Sequence, residues 1–246
     1  MDIPVSKPAD LNNRVALVTG AGGGIGKVIC KALIREGALV AASDLDVPVF
    51  DFEYGERAVF LKGDITREEQ VSGVVDAAID HFGRIDILVN SAGVVSTTPI
   101  KDLSPEEWDR VLDVNLKGTF LCCKHVLAQM EKQKSGKIIC MGSLAGKIGG
   151  LATGPHYVAS KAGIHGLVKW LARVGAEHGI LVNCIVPGQI RTSMLDKLDL
   201  SSLKIPVGRL GEPEDVAELV IFLSSEASNF ITGALINVNG GIFMDG

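Results

Sequence analysis

A phenol and an ammonium group stand four residues apart in Tyr157-Val158-Ala159-Ser160-Lys161, a spacing that brings both to one face of a helix. The pair is an acid/base device. A free tyrosine ionises near ~10, too high for ready proton exchange at neutral pH, and a neighbouring cation favours the phenolate. Spacing alone also describes an ordinary solvated helix face, so the chemical reading depends on what the rest of the chain places around it.

Arg14-Val15-Ala16-Leu17-Val18-Thr19 has the apolar character of a buried strand and runs directly into Gly20-Ala21-Gly22-Gly23-Gly24-Ile25-Gly26. A helical pattern follows at once in Ile25, Ile29, Leu33 and Ile34. Strand, glycine turn and helix in that order make a phosphate cradle: missing side chains let the backbone approach a pyrophosphate, and the helix start supplies oriented N–H groups. The helix stops near Gly37, and Ala38-Leu39-Val40-Ala41-Ala42-Ser43 reads as a second strand ending beside Asp44. A carboxylate about 20 positions after such a loop lies beside the ribose of a dinucleotide. It accepts hydrogen bonds from the ribose hydroxyls and repels a 2′-phosphate, so Asp44 points to NAD. Neither the glycine loop nor Leu45-Asp46 carries an arginine or lysine to receive that phosphate. A strand-end aspartate capping a turn is the simpler alternative.

With these segments in place the chain resembles the short-chain dehydrogenase/reductase family in its compact form, from about Leu11 to Gly241. Thr19-Gly20-Ala21-Gly22-Gly23-Gly24-Ile25-Gly26 matches the family's Thr-Gly-x-x-x-Gly-x-Gly loop, and Asp44 its strand-end acid. Asp64, in Gly63-Asp64-Ile65-Thr66, sits where the family touches adenine, and Asn90-Ser91-Ala92-Gly93 replaces with a conservative serine the family's Asn-Asn-Ala-Gly, whose first Asn and small residues steady the central sheet and leave room for the cofactor. Asn115, Ser143, Tyr157 and Lys161 match the catalytic tetrad. Pro187-Gly188 with Ile190 and Thr192 matches the segment that closes over the nicotinamide carboxamide.

The resemblance implies an α/β fold, a Rossmann-like doubly wound parallel sheet of about seven strands with helices on both faces. It implies NAD held by Gly20, Gly23, Gly24, Ile25, Gly26, Asp44, Leu45, Asp64, Ile65, Asn90, Ala92, Gly93, Tyr157, Lys161, Pro187, Gly188, Ile190 and Thr192. Tyr157 would be the base in alcohol oxidation and the acid in ketone reduction. Lys161 would lower the Tyr157 pKa and hold the nicotinamide ribose, and Ser143 would orient the substrate oxygen. Asn115 lies inside the helical run that starts at Ser104-Pro105-Glu106-Glu107, where an amide costs some helix propensity; in the family it holds a water that links the lysine to solvent. Relatives form tetramers through the helices around Trp108 to Met130 and Tyr157 to Gly175, and through the C-terminal helix and last strand, so a homotetramer is expected.

Length and composition agree. The 246 residues suit one dinucleotide-binding domain over 1–246, with 1–12 as an N-terminal extension, and 47% hydrophobic against 22% charged residues suits a well-buried sheet. Strand-like runs at 58–61, 85–89, 137–141, 180–186 and 234–238 alternate with helical stretches. A net charge of −5, with basic residues scattered among acids, offers nucleic acid no surface. No run of about 18 apolar residues reads as a membrane span, and the first eight residues, with two prolines, resemble neither signal peptide nor anchor; the cytoplasm is the expected location. The five cysteines lack metal-site spacing and read as core thiols, so no metal is expected. His156 could touch a substrate, whereas His81, His125, His165 and His178 read as surface or packing residues. Between Asp44 and Ala58 the chain is too short, with Pro48 inside it, for a full crossover helix. Val49, Phe50 and Phe52 would then pack over the sheet edge or another subunit.

The segments expected around the substrate are Val94-Val95-Ser96, Leu144 to Leu151 and Gln189 to Leu203, largely aliphatic. With Ser143, Leu144, Tyr157 and Gln189 as contacts, a small or medium secondary alcohol or ketone suits this lining better than a sugar phosphate. The expected function is NAD-dependent interconversion of such a pair. A 3-oxoacyl-thioester reductase, usually NADP-linked, is the alternative within the family. A dinucleotide-binding structural subunit without catalysis is the alternative of another class, and intact Ser143, Tyr157 and Lys161 oppose it.

Overall fold

The computed structural model describes residues 10–46, 55–150, 152–195 and 204–244. Seven strands pair into one parallel sheet in the order β3-β2-β1-β4-β5-β6-β7. They are β1 (Val15–Thr19), β2 (Leu39–Asp44), β3 (Ala58–Lys62), β4 (Ile87–Asn90), β5 (Gly136–Met141), β6 (Ile180–Pro187) and β7 (Leu235–Val238). From β1 the chain winds outward to β3, then returns to β4 and winds the other way. The reversal leaves β1 and β4 adjacent, Thr19 beside Asn90, and a parallel sheet opens its ligand crevice at the carboxyl ends of two such strands.

Parallel strands need helical crossovers, and these cover both faces. Alternate strand residues go to opposite cores. Leu17, Leu88, Ile138 and Val182 face α2 (Glu68–Phe82), α4 (Gly118–Gln133) and α6 (Pro155–Gly175). Val18, Val89, Ile139 and Ile185 face α1 (Gly24–Arg35) and α7 (Pro213–Ser224). Each such aliphatic side chain taken fully out of water contributes roughly 1.5–3 kcal/mol, which is why the sheet is the rigid part of the molecule. All five cysteines are buried and form no disulfide, as expected of core thiols.

The helical run after β4 departs from expectation. Ser104 caps α3 (Pro105–Leu112), its hydroxyl accepting from the Glu107 N–H at 3.2 Å, with Pro105 in the first turn. Instead of continuing smoothly into α4, the backbone widens into a π turn at Asp113–Lys117, and Asn115 stands in the middle of it. Such a turn releases a carbonyl from the α-helical ladder; the Asn115 carbonyl accepts from Thr119 Oγ1 at 2.7 Å.

Between β2 and β3 the described residues contain only a 3-10 turn at Gly55–Arg57. The packing expected of Val49, Phe50 and Phe52 lies outside the described residues, as do residues 1–9 of the expected extension. Leu11 is buried and donates its N–H to the Glu36 carbonyl. Among the described residues no helix is long and apolar enough to cross a membrane, and no cluster of His, Cys, Asp or Glu could hold a metal ion.

Candidate active site

Two concave regions meet at the carboxyl edge of the sheet. The first is a groove over the glycine loop. Gly20 turns there with φ +67°, and a Cβ on it would lie 2.5 Å from the Ala92 Cα; at Gly26 a Cβ would collide with the Gly20 carbonyl oxygen. Only glycine permits this close approach. At α1, no side chain caps the first N–H groups, which leaves donors and partial positive charge at the groove. The Asp44 carboxylate accepts from the Gly22 N–H at 2.8 Å and the Leu45 N–H at 2.7 Å. It therefore caps the turn and lines the groove together, and each oxygen keeps a lone pair for a further donor. The groove's described lining includes Asp44, Asp46 and Asp64 and no lysine or arginine. Asp64 opens the approach to α2, accepting from Thr66 N at 2.9 Å and Thr66 Oγ1 at 2.7 Å; Leu45 and Ile65 also line the groove. These features fit a dinucleotide.

Asn90 lies behind the groove rather than in it. Its amide nitrogen is directed at Cys123 Sγ and Cys140 Sγ, 3.3 and 3.6 Å away, and its Oδ1 is buried without a hydrogen-bond partner. It ties β4 to α4 and β5, while Ala92 and Gly93 reach the groove.

The second region is a pocket that shares Ile25, Ser91, Gly93, Val94, Thr192 and Met194 with the groove. Ser143, Tyr157 and Lys161 all line it. Ser143 follows β5, and the Ala145 N–H donates to its Oγ at 3.1 Å. Tyr157 and Lys161 come from the start of α6, both at least nine-tenths buried. Lys161 Nζ donates to the Met141 carbonyl at 2.9 Å and lies 5.8 Å from the centre of the Tyr157 ring. Burial lowers the lysine to about 8, because a charged ammonium loses hydration inside the protein. The expected depression of Tyr157 is not found: burial raises it above the ordinary phenol value, and the hydrogen bond with Ser143 only partly opposes this. At this distance desolvation of the phenolate outweighs the attraction of a lysine engaged with a carbonyl.

Asn115 joins its neighbours through its side chain. Its Oδ1 accepts from the Val94 N–H at 2.8 Å, and its Nδ2 donates to the Val94 carbonyl and to Ser160 Oγ, each at 3.0 Å. The amide thus holds the loop after β4 against α6. Opposite, the Leu144 N–H donates to the Pro187 carbonyl at 2.9 Å, and Gly188 N donates to Val238 O at 2.9 Å. Ile190 bridges to Gly211. These bonds hold Pro187, Gly188, Gln189, Ile190 and Thr192 as one wall of the pocket, with Leu144 on the floor. Val94, Val95, Ile148, Met194 and Leu195 make most of the remainder apolar.

His156 does not reach the pocket. Its ring is wholly buried, with Nε2 3.6 Å from Glu107 Oε1. Glu107, Ser96 and Thr98, which carry no motif, form a cluster beside it. His165 packs under Gly142 and Gly146, and burial takes it down to about 4, so it stays neutral. His81, His125 and His178 lie further out on helices, the latter two near Glu68 and Glu131.

Comparisons with known proteins agree with this geometry. The family model described as enoyl-(acyl carrier protein) reductase matches residues 20–243. The chain is 40% identical over 242 residues to (2S)-((R)-hydroxy(phenyl)methyl)succinyl-CoA dehydrogenase subunit BbsD of Thauera aromatica, covering 94% of this chain and 97% of that one. It is 38% identical over 244 residues to the 3-oxoacyl-(acyl-carrier-protein) reductase FabG of Thermotoga maritima, covering 94% and 98%. A solved short-chain dehydrogenase/reductase from Brucella melitensis, described as glucose/ribitol dehydrogenase, superposes with a TM-score of 0.89 at 33% identity over 97% of this chain and all of that one.

Proposed function

Since the chain belongs to the short-chain dehydrogenase/reductase family of oxidoreductases, we propose that it interconverts a secondary alcohol and a ketone with NAD as the hydride carrier, using Tyr157 as acid and base. The observation that carries this reading is the convergence of Ser143, Tyr157 and Lys161 on one apolar pocket that opens into the glycine-loop groove. When bound, the nicotinamide supplies or accepts the hydride.

The protein's own residues handle the oxygen and its proton. Ser143 presents its hydroxyl to the substrate oxygen and, through Tyr157, fixes its position. In ketone reduction Tyr157 gives its proton to the oxygen as the carbon is reduced; in alcohol oxidation the same phenolate takes it back. A phenol raised by burial holds its proton at neutral pH, which favours the role of acid. Lys161 supplies positive charge behind the ring and offers its remaining donors to a ribose. Gly20, Gly23, Gly24 and Gly26 would cradle the pyrophosphate. Asp44, facing a groove lined by acids, favours a ribose hydroxyl over a phosphate.

The names of the relatives support a second substrate reading, a 3-oxoacyl or 3-hydroxyacyl thioester. Both named curated relatives act on thioester-linked acids, and an apolar wall at Val94, Val95, Ile148 and Leu195 suits an acyl chain. NAD usage would then set this protein apart from an NADP-linked reductase. We also propose one domain, a cytoplasmic location and a homotetramer; the outward Phe120 of α4 and Trp170 of α6, 45% and 62% exposed, support pairing of those helices.

One experiment separates the readings. Cyclic and linear secondary alcohols, the matching ketones and 3-oxoacyl-CoA thioesters are each offered with NAD(H) and NADP(H), and the absorbance of reduced nicotinamide is followed. Turnover with NAD(H) is expected. No turnover with any carbonyl or alcohol, alongside tight dinucleotide binding, would favour the non-catalytic subunit.

A further inference from the structure

The start of α6 is held by two polar clamps, one on each side of Tyr157. The first is Asn115, which grips both backbone groups of Val94 and reaches Ser160, three residues after Tyr157. The second centres on Glu107. Its Oε1 accepts from Ser96 Oγ at 2.5 Å and Thr98 Oγ1 at 2.9 Å, and its Oε2 from Thr98 Oγ1 at 3.1 Å. His156, the residue before Tyr157, lies against the same oxygen.

Backbone and packing contacts close this second clamp. The Gly154 N–H donates to the Ser96 carbonyl at 2.8 Å. A Cβ on Gly154 would lie 2.6 Å from the Thr98 carbonyl oxygen and 2.5 Å from His156 Cε1, so loop and helix start touch with no room between them. No side chain caps α6, so its anchorage comes from this loop. Both ring nitrogens of His156 are buried without a hydrogen bond in this arrangement, a costly placement for a ring that neither lines the pocket nor anchors a hydrophobic cluster.

We propose that Glu107 is a positioning residue for the reaction: through Ser96, Thr98 and His156 it fixes the Val94–Thr98 pocket wall against the start of α6 and so sets where the Tyr157 hydroxyl stands relative to the substrate oxygen. This rests on the assignment of Tyr157 as the proton donor. Glu107 and Asn115 come from one helical run, the first before and the second within its π turn, and grip the two ends of the same loop. The loop carries Val94 and Val95 into the pocket, so the clamp acts on the substrate half of the site and leaves the Asp44 end of the groove untouched.

The experiment compares Glu107→Ala, Glu107→Gln and the Ser96→Ala/Thr98→Val double variant with wild type. It measures kcat and KM for the carbonyl substrate, NADH affinity by fluorescence and the thermal midpoint. Displacing a reacting group by about 1 Å costs up to ~10²-fold. Glu107→Ala and the double variant are therefore expected to lose about 10- to 10²-fold in kcat/KM for the carbonyl, with NADH affinity within about twofold. Glu107→Gln, which keeps an acceptor oxygen, is expected to recover much of the loss. Wild-type kinetics in Glu107→Ala overturns the inference, as does a parallel loss of NADH affinity with no rescue by glutamine, which marks general destabilisation. Tyr157→Phe, run alongside, separates the two levels: if it is active the proton-donor assignment itself fails, whereas an inactive Tyr157→Phe beside a fully active Glu107→Ala removes only the clamp.

Discussion

The two edges of the same sheet treat polar groups in opposite ways. At the amino edge, Asp86 is 5% exposed and fully engaged: it accepts from Arg84 Nε at 2.9 Å, from Arg14 Nη1 at 3.3 Å and from the Val15 N–H at 2.9 Å. Nearby, Lys137 donates to Ser225 O, Ser228 Oγ and Asn229 Oδ1. At the carboxyl edge, Asn90 Oδ1, Thr153 Oγ1, His165 Nε2 and the His156 ring are buried without hydrogen bonds, and the first turn of α1 has no side-chain cap. Identical strand chemistry runs between the two. The amino edge spends most of its polar groups on closing the fold, with Ser224 Oγ buried there unbonded, and the carboxyl edge keeps donors, a phenol and an ammonium for something else.

The strongest test of that contrast is Tyr157→Phe. It is expected to lower turnover by ~10² to 10⁴ while the thermal midpoint and NADH affinity hold, since the ring still packs. More than about a tenth of wild-type activity would remove Tyr157 from the chemistry. Asp86→Ala should do the reverse. It strands the Val15 N–H and unties two arginines, but both arginines are roughly half exposed and can turn to water, so a loss of about 2 kcal/mol is expected, below that of a fully buried ion pair. Denaturant unfolding measures it, and kcat/KM of the folded enzyme should not change.

At the groove, Asp44→Ala should reduce the preference for NAD over NADP by about tenfold, near 1.4 kcal/mol, and adding Leu45→Arg should move it further toward NADP by giving the phosphate a bidentate partner. An unchanged ratio of kcat/KM would mean that Asp44 serves only the Gly22 turn.

The smallest effect is in pH. Lys161 titrates near about 8 in the fold against about 10.4 in an unfolded chain. The cost of burying its charge is therefore complete below pH 8 and is relieved as pH rises from there to about 10.4, so this group makes stability climb with pH over that window. Catalysis goes the other way: with Tyr157 still protonated, ketone reduction should decline several-fold as Lys161 loses its charge above pH 8. A reduction rate flat to pH 10 would show that the Lys161 charge is not needed.

The sheet and the glycine loop were legible in the sequence because their signals are local. All seven strands fall on the apolar runs read from composition, and the order strand, glycine turn, helix survives unchanged at Thr19 to Ile34. Tyr157 and Lys161 were legible for the same reason, since one helical turn sets their spacing. What spacing left out was the partner that several polar side chains find far along the chain, even where the motifs brought Ser143 to Tyr157 and Lys161. Asn90 steadies the sheet as its motif implies, but it does so through Cys123 and Cys140, which no motif places. Glu107 three residues after Ser104 has the local look of a capping box. Its N–H does bond Ser104, but its carboxylate turns to Ser96 and Thr98 instead. Tyr157's proton affinity also eluded spacing, because burial rather than the nearest charge decides it.

The wide turn at Asp113–Lys117 makes the run from Pro105 to Gln133 a helix with a phase slip. An α-helix advances about 100° per residue, and a π turn absorbs roughly one residue of that advance. Upstream of the slip, Val111 packs beside Tyr157; downstream, Leu121, Cys123 and Val126 pack against the sheet. Deleting a single residue between 113 and 117 would let the run close as a regular helix and leave both flanking faces in phase, Val111 beside Tyr157 and Leu121, Cys123 and Val126 toward their core. The surplus residue is therefore not there for the core: it widens the one turn that seats the Asn115 amide against Val94 and Ser160.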